Sequence, residues 1–206
     1  MNVLVTSISA KVPMLKTVKR ALSKLDEGGR LFGADLDRHC IGSYFVDRFW
    51  NMPPIDRLTV EELVRFCRMN GIRAVIPSRD GELSFFSANR EALREEDIHV
   101  MVSDKACVEV CIDKVRFASR LLENAFPVIP ASERLDFEAD RYVVKERYGA
   151  GGAGAGLALD AEEAVRHAGR LTHPVFQPYI EGTEVSVDVY VDARGRTKGV
   201  IPRRRI

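Results

Sequence analysis

Tyr142-Val143-Val144-Lys145-Glu146-Arg147-Tyr148 runs straight into Gly149-Ala150-Gly151-Gly152-Ala153-Gly154-Ala155-Gly156, then Leu157-Ala158-Leu159-Asp160. Gly149, Gly151 and Gly154 satisfy G-x-G-x-x-G, the spacing of a dinucleotide-binding turn. That turn requires a helix to open inside the glycines and an acidic residue to close the next strand. Here Leu157-Ala158-Leu159 reads as extended, and the helical pattern begins only at Asp160. The next strand, Val175-Phe176-Gln177, closes without an acid. The first strand-to-helix turn of the chain, Thr6-Ser7-Ile8-Ser9-Ala10, has no glycine at all. The spacing therefore predicts the tip of a β-hairpin and argues against an NAD site. Ordering so many glycines costs backbone entropy. Closure of backbone N–H groups over phosphate oxygens offsets that cost when the tip acts as a ligand-ordered flap. A surface loop without function is the other reading.

Outward from this stretch, the first hundred residues alternate strand and helix. Val3-Leu4-Val5 is apolar and strand-sized, and Pro13 suits a first helical turn. Leu15, Val18, Leu22 and Leu25 then recur at helical spacing until Gly28-Gly29. Leu31 to Ala34 is a second strand, and a less regular stretch follows through Trp50 and Pro53-Pro54. Thr59 and Glu62 form a capping box ahead of a helix with Val60, Leu63, Val64 and Cys67 as its buried stripe. Ala74 to Pro77 and Ile98 to Val102 are further strands, with a polar helix from about Gly81 between them. This alternation predicts an α/β domain with a parallel, Rossmann-like sheet over residues 1–104.

Beyond Ser103 the pattern changes. Two helices follow in succession, one capped by Ser103 and one by Asp113, parted near Cys111-Ile112; the second carries Val115, Ala118, Leu122 and Ala125 on one face. From Tyr142 the chain is mostly β, interrupted by a helix from Asp160 to Leu171 with its own capping box, Asp160 and Glu163. In Glu184 to Val191, Val185, Val187, Val189 and Val191 are predicted to face a core, with Glu184, Ser186, Asp188 and Tyr190 opposite. The change of pattern places a domain boundary near residue 104.

Composition narrows the function. Lys plus Arg of 31 against Asp plus Glu of 30 leaves a formal charge of +1, so no global field attracts nucleic acid or an anionic membrane. No apolar run approaches a membrane span, and the amino terminus reads as a strand and not a signal peptide; a cytoplasmic location is the expectation. Cys40, Cys67, Cys107 and Cys111 have neither zinc nor disulfide spacing. Cys107 and Cys111 share a helical face, where small buried hydrophobes are expected. The four histidines are scattered without ligand spacing, so no metal residues are assigned.

Two lysines stand out. Lys145 lies inside an apolar strand immediately before the glycines, where a point charge suits phosphate; a lysine snorkelling from an edge strand is the alternative. Lys114 is a cation in the first turn of a helix, where the macrodipole disfavours it; a surface lysine is the plainer account.

These pieces in this order resemble the ATP-grasp superfamily, and within it ligases like the large chain of carbamoyl-phosphate synthase. The carrying residues are Asp113-Lys114, Val143-Val144-Lys145, the glycine run, Gln177-Pro178-Tyr179-Ile180-Glu181-Gly182-Thr183-Glu184 and Val187-Asp188. Ile76 to Leu83 resembles the strand-to-helix turn of the preATP-grasp domain, so the resemblance covers nearly the whole chain. It implies a preATP-grasp domain over residues 1–104 followed by a partial α+β ATP-grasp domain, with residues 105–182 as its first lobe, carrying the glycine hairpin, and residues 183–206 as the incomplete start of the second. Lys114 and Lys145 would hold ATP phosphates, with Gly149, Gly151, Gly152 and Gly154 in the flap. Gln177 and Ile180 would meet adenine through backbone groups, and Glu184 would accept the ribose hydroxyls. Arg203, in the run Arg203-Arg204-Arg205, would hold the phosphoryl or acyl-phosphate group, a solvated tail being the alternative.

The implied activity is ATP-dependent ligation of a small-molecule carboxylate to an amine or ammonia through an acyl phosphate, with ATP and Mg²⁺ as cofactors. Two departures qualify it. Relatives carry Ser and Arg among the flap glycines, whereas this chain has only Gly and Ala. Relatives also bind Mg²⁺ with acidic and Asn residues on later strands, and here nothing beyond Asp192 is Asp, Glu or Asn. The resemblance therefore implies a fragment, or one piece of a split protein with a missing segment or partner subunit, inactive by itself. A noncatalytic nucleotide-binding or regulatory subunit is the alternative function.

Overall fold

The apolar pentapeptides of the first half pair side by side, because each must bury two faces and only a sheet covered on both sides allows it. The structure, a computed structural model, describes residues 1–152 and 154–205. β1 (Asn2–Thr6), β2 (Leu31–Asp35), β3 (Arg48–Asn51), β4 (Ile72–Ile76) and β5 (His99–Val100) form a parallel sheet in the order β3-β2-β1-β4-β5. On one face Leu15 and Leu22 of α1 (Val12–Leu25) pack with Val3, Val5 and Leu31. On the other, α2 (Val60–Met69), α3 (Asp80–Ala88) and α4 (Arg90–Glu95) bring Leu63, Cys67, Phe86 and Leu93 against Leu4, Phe32 and Val75.

The stretch through Trp50 read as irregular is in fact β3, an edge strand. Trp50 stacks on Phe66 of α2, centroids 4.0 Å apart and 12° from parallel, and that contact sets the strand where four residues of mixed character could not announce it.

After α5 (Lys105–Cys111) and α6 (Lys114–Glu123) comes a smaller antiparallel sheet. β6 (Tyr142–Glu146) lies at its centre, between β7 (Gly156–Leu159) and β8 (Pro174–Pro178). α7 (Ala161–Ala168) covers one face, burying Ala164 with Tyr142, Val144 and Phe176. The glycines thus join two antiparallel strands, and no helix opens among them; α7 starts after Asp160, whose carboxylate accepts from the Glu163 N–H in the expected capping box. β9 (Val185–Val191) and β10 (Thr197–Arg204) form a separate antiparallel ribbon.

Four expectations are corrected. Asp104, and not Ser103, caps α5 by accepting from the Cys107 N–H. Cys107 and Cys111 are exposed, because their face of α5 points outward. On α6 only Ala118 is buried, while Leu122 is exposed. The valines of β9 are about half exposed, since among the described residues no layer covers either side of the ribbon.

The chain order of the parallel sheet reverses between β1 and β4, and the crevice at the carboxyl ends of those strands is where open α/β sheets place ligands. A polar network fastens the two turns there. The Glu82 carboxylate, 1% exposed, accepts from the Thr6 hydroxyl at 2.7 Å and the Ser7 hydroxyl at 2.6 Å. Lys11 Nζ donates to the Ser7 carbonyl (3.1 Å), the Ser78 hydroxyl (2.8 Å) and the Ser78 carbonyl. Ser7 and Ser9 stand at φ of 49° and 35°, a conformation serine keeps only when its surroundings hold it. Glu82→Ala leaves the Thr6 hydroxyl buried without its acceptor and should cost roughly 2–3 kcal/mol in urea unfolding. Glu82→Gln, which retains an acceptor oxygen, should cost less; two equal losses would mean that the hydrogen bonds contribute little.

Candidate functional site

The geometry of the site starts from Asp113. As the sequence predicts, it caps α6: its Oδ1 accepts from the N–H groups of Val115 (3.0 Å) and Arg116 (3.1 Å). The same carboxylate also receives Arg147 in a two-point pair, Nε to Oδ1 at 2.9 Å and Nη2 to Oδ2 at 2.7 Å. Arg147 reaches Glu133 as well, at 2.7 Å. Its guanidinium lies over the Tyr148 ring, 5.4 Å from the centroid, and His173 meets that ring edge-on. Asp113 is 3% exposed. Burial by itself raises its carboxyl pKa, but the Arg147 hydrogen bond and the two helix N–H groups outweigh burial and hold it below the usual carboxylate range.

This pair joins the start of α6 to the junction between β6 and the glycines. Lys114, one residue after the cap, is thereby delivered to the base of the hairpin. Its Nζ donates to the Gly149 carbonyl at 2.9 Å and the Arg147 carbonyl at 3.2 Å. Lys145 sits on β6, the central strand of its sheet, so the edge-strand account of it fails. In register it opposes Val175, and Val143 opposite Gln177 shares its face. Burial, and next the charge of Lys114, push the Lys145 pKa down, while Glu184 pulls it up. Burial likewise lowers that of Lys114, against Glu146, Asp113 and Asp80. Two partly buried ammonium groups within each other's field repel, and an anion lying between them relieves that repulsion.

The hairpin tip needs glycine for its backbone. Gly149, Gly151, Gly152 and Gly154 have φ of 93°, 78°, 68° and 70°, while a Cβ on any of the first three would meet open space. His167 Nε2 lies 2.8 Å from the Gly154 carbonyl. Ala153 of this run lies outside the described residues.

The remaining predicted residues fall elsewhere. Gln177 is on β8, its amide nitrogen 3.4 Å from the Ile129 carbonyl, and Ile180 follows the strand with its side chain exposed. Glu184 accepts from Arg205 Nη1 at 2.5 Å. Arg203 stands on β10 in a two-point pair with Asp188, 2.6 and 3.1 Å, and is held there instead of at the lysines. Its hydrogen bond keeps the Asp188 carboxyl below its ordinary pKa. With an arginine on Glu184 and another on Asp188, and no grouping of three His, Cys, Asp or Glu side chains among the described residues, the donor set does not fit a divalent cation.

Sequence reasoning missed Arg147 and Tyr148. The only signal was their position between a lysine-bearing strand and a glycine run, which says nothing of a partner 34 residues upstream.

Asp113→Ala removes the cap and leaves Arg147 without its main partner, so stability should fall by about 3–5 kcal/mol. Asp113→Asn keeps a cap acceptor and should lose less. The folded-state pKa of Asp113 is depressed, so its stabilisation is complete above the unfolded value of about 3.9 and is lost as pH falls through the folded one. Urea midpoints measured from pH 6 to pH 2 should show that slope in the wild type and a shallower one in Asp113→Asn; identical slopes would count against the assignment.

Comparison with known proteins places this geometry. Residues 3–101 match the family described as PylC-like, N-terminal domain, and residues 111–206 match the ATP-grasp domain. No curated protein matches. Among solved structures, N5-carboxyaminoimidazole ribonucleotide synthetase in its ADP complex aligns with a TM-score of 0.74 at 14% identity, covering 100% of this chain and 54% of that one. The biotin carboxylase domain of Hydrogenobacter thermophilus 2-oxoglutarate carboxylase, with MgADP, ADP and bicarbonate, gives 0.69 at 20%, covering 98% and 48%. L-amino acid ligase from Bacillus licheniformis gives 0.68 at 17%, covering 92% and 47%. At these identities the likeness concerns the fold, and the chain spans about half the length of each. No helix is long and apolar enough to cross a membrane among the described residues. A parallel five-stranded sheet followed by a smaller antiparallel sheet is the arrangement these neighbours share, and residues 3–101 belong to the PylC-like N-terminal domain family and residues 111–206 to the ATP-grasp domain family.

Proposed function

We propose that this chain is the nucleotide-binding half of an ATP-dependent ligase that joins a carboxylate to an amine or ammonia, of the kind represented by the large chain of carbamoyl-phosphate synthase, and that it works in the cytoplasm. The carrying observation is the convergence of Lys114 and Lys145 at the base of a hairpin whose tip is glycine in left-handed conformations. Phosphate oxygens between the two ammonium groups relieve their repulsion, and backbone N–H groups of Gly149, Gly151, Gly152 and Gly154 close over them. Backbone groups of Gln177 and Ile180 meet the adenine. Glu184, close enough to Lys145 to act on its titration, accepts the ribose hydroxyls once it exchanges Arg205 for them.

In the reaction, a carboxylate oxygen attacks the γ-phosphorus and ADP leaves, giving an acyl phosphate. The amine nitrogen then attacks the acyl carbon, phosphate departs, and the nitrogen gives up a proton. The protein's part is positioning and charge neutralisation, with Arg203 stabilising the transferring group after leaving Asp188.

The pairs Arg203–Asp188 and Arg205–Glu184 favour a second reading, a nucleotide-binding subunit without catalysis, because each ties up a residue that the ligase needs.

Calorimetry tests the nucleotide site. ADP should bind and NAD should not, since the hairpin lacks the helix that a dinucleotide turn requires. Lys145→Ala removes a charged phosphate contact of about 1.5–3 kcal/mol, a roughly 10- to 100-fold loss for ADP. Adenosine, which lacks phosphates, should change little; equal losses for both ligands would remove Lys145 from the phosphate site.

A further inference from the structure

The glycine run holds two kinds of glycine. Gly149, Gly151, Gly152 and Gly154 stand at positive φ, where a side chain would be strained. Gly156 does not; it opens β7 and is buried. What it lacks is space. A Cβ there would lie 3.0 Å from Cγ and Cδ2 of the His167 ring and 2.7 Å from Leu159 Cδ1. Gly156 is the seat of an imidazole that α7 presses against the start of the outgoing strand.

That imidazole grips one peptide unit. His167 Nε2 lies 2.8 Å from the Gly154 carbonyl, and because a carbonyl only accepts, Nε2 carries the hydrogen. The N–H of the same unit, that of Ala155, donates to the Gly152 carbonyl at 3.1 Å. A trans peptide is planar, so its C=O and N–H point opposite ways. His167 therefore holds one end of the unit while the turn holds the other, and the two hydrogen bonds polarise each other. On the incoming side Lys114 takes the Gly149 carbonyl. Each end of the tip is thus tied to a helix, α6 before it and α7 after it.

A basic residue in the last turn of α7 is favoured by the helix dipole whatever it touches, and Arg166 and His167 both meet that description. Arg166 is exposed and reaches only Glu162 of its own helix, at 3.8 Å, whereas His167 is half-buried against the hairpin. The dipole accounts for neither the carbonyl contact nor the missing Cβ at Gly156.

We propose that His167 is a positioning residue for the nucleotide: it orders the outgoing half of the glycine hairpin in advance, so that phosphate meets a partly formed flap and less backbone entropy is lost on binding. The inference rests on the nucleotide-binding reading and adds to it a residue outside the glycine run.

Hydrogen exchange by NMR and calorimetry on the full chain test it, with His167→Ala, His167→Gln and Gly156→Ala. A cavity of about 240 Å³ beside the ring, between Leu159, Glu163 and Arg170, leaves room for both His167 replacements. Exchange at the Ala155 N–H should quicken roughly three- to tenfold in His167→Ala, the range for one lost hydrogen bond. Gly156→Ala, which pushes the ring away, should do the same. His167→Gln, whose amide still donates, should stay near wild type. ADP affinity should fall by a similar factor in the two loosened variants and recover in His167→Gln, with adenosine unaffected. In mildly alkaline buffer, where imidazole is neutral, the ring nitrogens of His167 should show the Nε2–H tautomer. The Nδ1–H tautomer, unchanged Ala155 exchange in His167→Ala, or ADP affinity unmoved while exchange quickens would each overturn the proposal. Equal losses for ADP and adenosine would do so too, as would equal quickening of the β6 amides, since His167 would then support the whole sheet and not the tip. A wild type that binds no ADP defeats the nucleotide reading instead, and the exchange and tautomer results then decide by themselves whether His167 orders the hairpin.

Discussion

One buried carboxylate fixes the relation between the start of α6 and the glycine hairpin. Asp113 satisfies two N–H groups of α6 and both donors of the Arg147 fork, and it does so 34 residues away from its partner. Desolvating both charges is expensive, and an apolar pair of equal volume would often be as stable. The fork fixes direction, however, which an apolar contact cannot do: Arg147 can lie in one plane only, with Tyr148 beneath it. Because Lys114 follows Asp113 in the chain and Gly149 follows Arg147 by two residues, clamping the first pair brings the second together. The approach of Lys114 to the base of the hairpin is thus a consequence of a structural ion pair.

The fold was legible wherever local chemistry and burial agreed. Val3-Leu4-Val5, the helix of Leu15 and Leu22, and both capping boxes could be read because period, cap and turn residues pointed the same way. β3 was not legible, since its place depends on Trp50 stacking against a helix that follows it in the chain. The alternation in β9 specifies a strand but not a buried face. Periodicity states which side chains share a side and is silent on whether a layer covers them. Cys107 and Cys111 failed for the same reason.

The candidate site divides along similar lines. Lys145 and the glycines violate local preference, a charge in an apolar strand and a costly loop, and such violations are visible in one sequence. Lys114 was visible too, as a cation at the wrong end of a helix. Arg147 and Glu82 break no local rule. Arg147 reads as an ordinary strand-end arginine, and Glu82 as an ordinary first-turn acid. What sets Glu82 apart is that β1 and β4 bring Thr6 and Ser7 to it.

The all-Gly and Ala flap can be reconciled with nucleotide binding through the donors of Lys114. Without Ser or Arg in the tip, charge neutralisation in the proposed nucleotide site falls on the two lysines, both disfavoured as cations by burial, and Lys145 also by the charge of Lys114. An ammonium has three donors. Lys114 gives two of them to the carbonyls of Arg147 and Gly149, which keeps the start of the hairpin in place. Among the described residues the third has no partner, so in the proposed site it would take a phosphate oxygen without releasing the hairpin. An arginine there would offer more donors in a rigid plane and could not divide them so readily between two convergent carbonyls and a ligand. Lysine in the first turn is unfavourable to the helix, and this division of its donors is the compensation the site obtains for it.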